Sequence, residues 1–496
     1  IKMDNKKPNT LLDLAIHQLL KNETAAIHAL EEIPRDLFVP LFCASFKGVH
    51  KSIVKAMVKV WPYTCLHIGT FTVRKPHREL LTAMLEGLQF LPVQNSGSRI
   101  PKLRILDLRE DSGCKIICPK ICTKSPECLF SCAHSENSIL KIQSRQSIAS
   151  SEPEVQPSSI PMELIVNISI VSNITLREHE YLTLLLNKVE DSSGSLHLCC
   201  RDLEIDELGD RRNILNHLDL KCLVSLSVFQ GSLVDVNNLL AQVGQLRRFC
   251  LSRITCRSLN GKAFRNFVSH LRCMDHLNEL NFHSFVLTDH LEAALRIGNS
   301  ESLKTVMEWY LSVIEEKNGV TKRVVRVLPT SLEFLHLTFC ELSYNDFKFL
   351  AECPQANHLK LLNITHNPMY WEDCEPFYNI LHRLSGTLQH LAVNQCVLTD
   401  SMVAGVIPAL SRCTQLRVLN FSSNPVSMPM LMRLLEHLTP LLELKYVIYP
   451  IPVHCYGRWP IQDSLDEQKL ANVKARLKRM LREAGRSDMI WFTFPG

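Results

Sequence analysis

The chain has 496 residues, 46% of them hydrophobic, and a formal net charge of +5. That length exceeds what one globular core usually organises, no apolar run approaches the ~18 residues a membrane span requires, and so small a charge makes no case for the basic stripe of a nucleic-acid binder. Its first residues, Ile1-Lys-Met-Asp-Asn-Lys-Lys, lead into an amphipathic stretch, so no signal peptide is expected, and the 19 cysteines read as reduced, mostly buried thiols rather than a disulfide framework.

Residues 8 to 60 predict a helical head. Leu11, Leu12, Leu14, Ala15, Leu19 and Leu20 form one apolar stripe, residues 25–30 a second and 37–46 a third, with Pro34 where a first helical turn tolerates proline. Trp61-Pro62 ends this head, and a further helix over 78–91 precedes a strand over 103–108. Leu11, Ala15 and Leu19 fall at i, i+4 and i+8, so they share one helix face with a small residue at its middle. That is the shape of an elongin-C-binding BC box, except that Ala15 stands where the consensus has cysteine. Fourteen residues beyond Leu19, Ile33-Pro34-xx-Leu37-xxx-Leu41 fits a cullin-2 box: apolar, proline, then apolar positions at plus four and plus eight. The competing reading is that Leu11, Ile33, Leu37 and Leu41 bury against the chain's own first coils. On the residues alone both stay open.

Residues 110–160 break the pattern. Cys114, Cys118, Cys122, Cys128, Cys132 and His134 are the right residue types for zinc, but their spacings miss the usual close-knuckle pairs, so the expectation is an insert without metal. The stretch 142–160, rich in Ser, Pro, Gln and Glu, reads as a disordered linker. Order is expected again over 161–170, and a helix over 177–188.

From Leu332 one hydrophobic pattern returns every 27 to 29 residues. Its copies are Leu332-xx-Leu335-x-Leu337-xx-Cys340-x-Leu342, Leu359-xx-Leu362-x-Ile364-xx-Asn367, Leu388-xx-Leu391-x-Val393-xx-Cys396-x-Leu398 and Leu416-xx-Leu419-x-Phe421-xx-Asn424-x-Val426. Looser copies begin at Leu246 and Leu277, and weaker echoes sit near Leu103, Leu196, Leu223 and Leu441. Leu335 and Leu337 point the same way on a short strand because strand side chains alternate, while Asn367 and Asn424 can serve backbone groups of a neighbouring coil and Cys340 and Cys396 fill the same slot more weakly. Between strands, residues 343–353, 376–384, 400–411 and 428–438 predict helices of two to three turns. This is the leucine-rich-repeat pattern, and a period near 28 with a helix per coil predicts an α/β solenoid, a horseshoe of the ribonuclease-inhibitor-like long-repeat type. One coil cannot bury its own apolar face, so the coils must stack.

After the break at Tyr449-Pro-Ile-Pro-Val, a helix from Ser464 to Arg482, with Ser464 as N-cap, reads as a C-terminal cap. The expected domains are a head over 1–98, a first strand with insert and linker over 99–160, the solenoid over 161–450 and the cap region over 451–496.

No phosphate-cradling glycine loop, nucleophile elbow, His-Glu-x-x-His or paired acid/base set occurs, so no catalytic, cofactor-binding or metal-binding residue is assigned and the chain is not expected to be an enzyme. Cys199-Cys200 and His336 lie in predicted strands and read as packing or surface residues. Leu-xx-Leu-Leu occurs at Leu182 and Leu431, on helices whose leucines the solenoid needs for its own core.

The whole chain resembles the PRAME family, and within it the rodent oogenesin or PRAME-like proteins. The residues carrying this are Ile33-Pro-Arg-Asp-Leu-Phe-Val-Pro-Leu-Phe, Ala56-Met-Val-Lys-Val-Trp-Pro-Tyr-Thr-Cys-Leu, Leu103-Arg-Ile-Leu-Asp-Leu-Arg, Leu196-His-Leu-Cys-Cys-Arg-Asp-Leu, Tyr449-Pro-Ile-Pro-Val and Gly485-Arg-Ser-Asp-Met-Ile-Trp. The resemblance implies a substrate-recognition subunit of a cullin-2, elongin B/C ubiquitin ligase. It further implies roles in ubiquitin-dependent proteolysis, in repressing transcription, and in favouring proliferation over differentiation and apoptosis. On that reading Leu11, Ala15 and Leu19 meet elongin C, and Ile33, Pro34, Leu37 and Leu41 meet cullin-2. The strand positions between the buried ones, Glu333, His336, Thr338, Lys360, Asn363, Thr365, Gln389, Asn394, Arg417 and Asn420, face a protein substrate. Cofactors, direct nucleic-acid contact and a membrane are not expected. Cytoplasm is the expected location, with the nucleus second, because residues after 140 lack a lysine-rich cluster. The alternative is a leucine-rich-repeat binder that represses transcription or blocks a partner by occupancy, with no ligase attached.

Overall fold

A computed structural model describes residues 10–63, 65–68, 78–88, 103–109, 161–170, 176–209, 212–244, 246–258, 261–288, 332–353, 356–371, 373–457 and 465–493. The cysteine-rich segment from Cys114 to His134, the linker at 142–160 and Ser464 lie outside them. Two compact units divide the chain, Ile1–Leu203 with Asn213–Cys222, and Glu204–Arg212 with Leu223–Gly496.

The first unit opens with α1 (Leu11–Leu20), α2 (Glu23–Ala29), α3 (Arg35–Lys47) and α4 (Lys51–Lys59). Thr10 starts α1 with a reciprocal capping box: its hydroxyl accepts from the Asp13 N–H at 3.1 Å, and the Asp13 carboxylate accepts from the Thr10 N–H at 2.8 Å. Pro34 precedes α3 because its missing N–H is one the helix start could not have paired. The core of these helices gathers on Trp61, whose ring meets Phe42 edge-on at 5.3 Å and Tyr63 at 5.8 Å.

Helix α5 (Arg78–Gly87) crosses α4 so closely that a β-carbon on Gly87 would lie 2.6 Å from the Lys55 carbonyl oxygen, which leaves room for no other residue. Strands β1 (Cys65–His67), β2 (Ile105–Asp107) and β3 (Met162–Ile170) pair in parallel, with Leu66 beside Leu106 and Leu106 beside Leu164. Helix α6 (Leu176–Asp191) leads to β4 (Leu196–Ile205), which lies next to β3. Asp107 and Arg109, both buried, form a two-pronged pair at 2.8 Å and 2.8 Å, so neither charge is left bare.

In the second unit a parallel sheet runs in chain order through β5 (Ser225–Val228), β7 (Arg248–Ser252), β9 (Glu279–His283), β10 (Phe334–Thr338), β11 (Leu361–Asn363), β12 (His390–Ala392), β13 (Val418–Asn420), β14 (Tyr446–Ile448) and β15 (Ile490–Phe492). The short strands β6 (Gly231–Ser232) and β8 (Ile254–Thr255) pair beside it. Helices α7 (Leu233–Leu240), α8 (Lys262–Arg272), α9 (Tyr344–Glu352), α10 (Glu375–Leu384), α11 (Asp400–Leu410) and α12 (Met428–Leu438) alternate with the strands, and α13 (Glu467–Glu483) precedes β15.

In-register pairing aligns Leu335, Leu362, Leu391, Leu419 and Val447 as one buried row, which is the repeat pattern expressed as packing. This mixed α/β architecture with a long parallel sheet accords with a repeat solenoid. The last helix starts later than expected: Asp466 is its N-cap, accepting from the Lys469 N–H at 3.0 Å, because its carboxylate reaches the orphan amide directly.

The ladder positions behave as their chemistry requires. Asn367 is fully buried; its Oδ1 accepts from the Cys340 and Leu342 N–H groups, both at 3.2 Å, and its Nδ2 donates to the Leu337 carbonyl at 2.6 Å. Asn424 repeats the arrangement one asparagine coil later, with Cys396 and Leu398 N–H at 3.1 and 3.0 Å and the Val393 carbonyl at 3.0 Å. Cys340 and Cys396 instead donate weakly through sulfur to the carbonyls of Phe282 and Ile364, and burial pushes both thiols up to about 12.

Candidate functional site

Two surfaces collect the residues singled out by the sequence, one in each unit. On α1, Leu11 is 86% exposed, and Leu12, Leu14 and Ala15 are exposed with it. Leu19 is half-buried and Leu20 anchors the helix to the head. A capped helix thus presents leucines to solvent that its own core does not use. On α3 and the turn before it, Ile33 and Leu37 are half-buried and Pro34 is exposed, whereas Leu41 is 1% exposed and belongs to the core beside Phe38 and Phe42. The physical reason is position: α3 turns Phe38, Leu41, Phe42 and Ser45 inward, so Leu41 holds the helix and offers no surface.

The second surface is the open face of the parallel sheet. Residues alternating with the buried row form two further rows, set by the same register. One runs Arg248, Glu279, Phe334, Leu361, His390, Val418, Tyr446 and Ile490; the other runs Cys250, Asn281, His336, Asn363, Ala392, Asn420, Ile448 and Phe492. The sequence pattern alone pointed to His336, Asn363 and Asn420 of the second row and missed the first. The signal was available, because the residue just before the second leucine of each Leu-xx-Leu-x-Leu faces solvent by strand alternation. The missed row makes the face more apolar toward its C-terminal end, where Tyr446 is 47% and Ile490 52% exposed.

Glu333, Lys360, Gln389 and Arg417 stand one step before the strands. Lys360 Nζ donates to Glu333 Oε1 at 2.9 Å, and Arg417 lies 3.9 Å from Glu443, so much of this charge is paired. At the last residues of β9 and β10, Thr338 meets His283 Nδ1 at 2.6 Å, and past β11 the Thr365 hydroxyl donates to Asn394 Oδ1 at 2.6 Å. Thr365 is therefore buried and takes part as a support for Asn394 rather than as a surface group. Phe339 stacks on His366 with ring centroids 3.6 Å apart and is itself exposed. Burial holds the imidazoles of His336, His366 and His390 below their ordinary range; the Glu279 charge partly opposes this at His336, while His283 and Arg417 add to it at His366 and His390 respectively.

Neither surface brings together a nucleophile and a base. The Leu-xx-Leu-Leu leucines at 182, 185, 431, 434 and 435 are buried, so they pack within their own units.

Models of the PRAME N-terminal domain and the PRAME C-terminal domain match residues 8–113 and 299–495. The chain is 30% identical to PRAME family member 12 of Homo sapiens over 503 aligned residues, covering 99% of this chain and 94% of that protein. The chain belongs to the PRAME family. It is also 29% identical to human PRAME family member 8, covering 99% of this chain and 95% of that one. Human leucine-rich repeat-containing protein 14 is 27% identical, over 98% of this chain and 97% of its own. The last name carries the repeat that the ladder and the parallel sheet express in this PRAME family chain. Among the described residues no helix is long and apolar enough to cross a membrane.

Proposed function

We propose that this chain is the substrate-recognition subunit of a cullin-2, elongin B/C ubiquitin ligase, promoting ubiquitin-dependent proteolysis and, through it, repressing transcription and differentiation. The observation that carries the reading is the joint exposure of Leu11, Leu12 and Leu14 on one capped helix, since several apolar side chains left in water on an ordered element make a patch suited to a partner. Leu11, Ala15 and Leu19 dock elongin C, and Ile33, Pro34 and Leu37 meet cullin-2 with Leu41 fixing their helix from behind. The open face of the sheet holds the protein to be modified. Catalysis belongs to the ligase partners, and this chain raises the local concentration of the substrate lysine.

Ala15 favours a second reading, a repeat protein acting by occupancy alone, because its methyl group fills less of a pocket than the cysteine of the consensus. Affinity purification from cells of the intact chain beside Leu11→Glu separates the two. The adaptor reading expects elongin B, elongin C and cullin-2 with the intact chain and at least tenfold less with the variant, whose helix content is unchanged because Leu11 packs against little. Equal recovery from both, or none from either, overturns it.

A further inference from the structure

Strand β4 carries His197 and Cys199 two residues apart, so both side chains leave the same side of the strand. Facing them, the segment that closes in the turn Leu220–Cys222 supplies Asp219 and Cys222. His197 Nε2 lies 3.1 Å from Asp219 Oδ2, and Cys222 Sγ lies 3.7 Å from that same oxygen. The ligand atoms of His197, Asp219 and Cys222 all lie within 4.8 Å of one another. Cys199 lies on the same side of β4 as His197 but outside this group of three. On the far side of the imidazole, His197 Nδ1 meets Glu163 Oε2 of β3 at 2.8 Å.

A plain ion pair would explain a histidine between two carboxylates, but it does not require a thiol on the same spot. Nor does it require the order seen here. A carboxylate on Nδ1 fixes the tautomer and turns Nε2 toward the cluster, which is how histidine ligands of metal ions are commonly held. One sulfur, one imidazole nitrogen and one carboxylate oxygen make a borderline-soft donor set, suited to zinc and unsuited to calcium or magnesium, which take oxygen. The three donors come from one strand and one turn of the same compact unit, and water would complete a tetrahedron around the ion.

We propose that His197, Asp219 and Cys222 form a zinc site, with Glu163 orienting His197. Binding is ligand exchange without redox change: the Cys222 thiol proton and the proton on Nε2 leave to solvent, and the three donors replace water on the ion. The ion would tie β4 to the turn that follows it, and Glu163 would extend the tie to β3. The residues assigned to partner docking on α1 and α3 take no part, so this site stands apart from the proposed ligase role.

The test uses the full chain under reducing conditions, stripped with a chelator and titrated with Zn2+ against a chromophoric chelator, with Co2+ as spectroscopic probe. The cysteine-rich segment could hold metal of its own, so three forms are compared: the intact chain, Cys222→Ser, and a chain with Cys114, Cys118, Cys122, Cys128 and Cys132 all changed to Ser. The last form is expected to bind one equivalent of zinc and to show tetrahedral, thiolate-ligated Co2+ bands. The Cys222→Ser form should bind one equivalent fewer than the intact chain, and Glu163→Gln should weaken binding at this site ~10- to 100-fold. If the form lacking only the 114–132 cysteines binds no zinc, or binds it without thiolate bands, the site does not exist. That form leaves the cluster itself untouched, so its result decides even where the Cys222→Ser chain fails to fold.

Discussion

At the scale of single residues, the ladder asparagines and cysteines occupy one slot with unequal chemistry, and their deletion should be unequal too. Asn424→Ala strands the N–H groups of Cys396 and Leu398 and the Val393 carbonyl in a dry interior, and removes every side-chain partner they have there. The expected cost is about 3 kcal/mol, since each abandoned buried group carries a desolvation penalty of roughly 1 to 3 kcal/mol. Cys396→Ala removes weak sulfur bonds to the Ile364 and Asn394 carbonyls and a little packing, and should cost about 1 kcal/mol. Urea midpoints of the two variants decide the matter; equal losses would mean that the ladder works by volume and not by hydrogen bonding. These roles were legible in the sequence because one residue type at a fixed step from three leucines has one geometric meaning. The His197 cluster was not legible. Its members come from residues 163, 197, 219 and 222, and only the pairing of β3 with β4 and the turn at 220–222 assembles them.

Elements were read well where a pattern repeats and less well where a single local choice decides. The helices α9 to α12 fall within a residue or two of their apolar periodicity, while α13 begins at Asp466 instead of Ser464, a choice between two good caps that periodicity does not make. The open sheet face was half-read for a related reason: apolar residues such as Phe334, Leu361 and Val418 look like core unless strand alternation is applied to them.

Six of the coils also leave their strands through a left-handed residue just before the ladder position: Arg253, Ser284, Phe339, His366, Gln395 and Ser423, with φ between 50° and 58°. No glycine is used at any of these turns. Just past the Cys396 ladder position, Val397 places a β-branched side chain at φ 60°, where such residues are strained. Replacing it by glycine should stabilise the chain by about 1 kcal/mol, the relieved strain exceeding the entropy that glycine adds to the unfolded state. A lower thermal midpoint for Val397→Gly would show instead that its half-buried side chain matters more than its backbone.

For the molecule as a whole, the repeat geometry means that stability is local: each coil of the second unit is held by its neighbours, and an end coil has one neighbour fewer. The C-terminal end answers this with Arg486, 7% exposed, which follows α13 and reaches back to the last turn of the repeat. Its guanidinium donates to the carbonyls of Leu441 at 2.9 Å and Leu444 at 3.0 Å, while Nε holds Asp488 at 2.9 Å. Asp488 in turn pairs with Lys445 at 2.6 Å, and these two cations hold its carboxyl well below the usual carboxylate range.

One buried cation therefore satisfies the Leu441 and Leu444 carbonyls just before β14, and it stands just before β15, which pairs with β14. Arg486→Met keeps the volume and removes the donors, so those carbonyls lose their partners at a cost of about 3 kcal/mol. Because coupling runs only between neighbours, the loss should stay near the end. Hydrogen exchange should quicken across β14, α13 and β15 and remain unchanged at β10 and β11. Uniform loss of protection from β5 to β15 would mean that the second unit unfolds as one cooperative block, and that its repeats do not behave as independent coils.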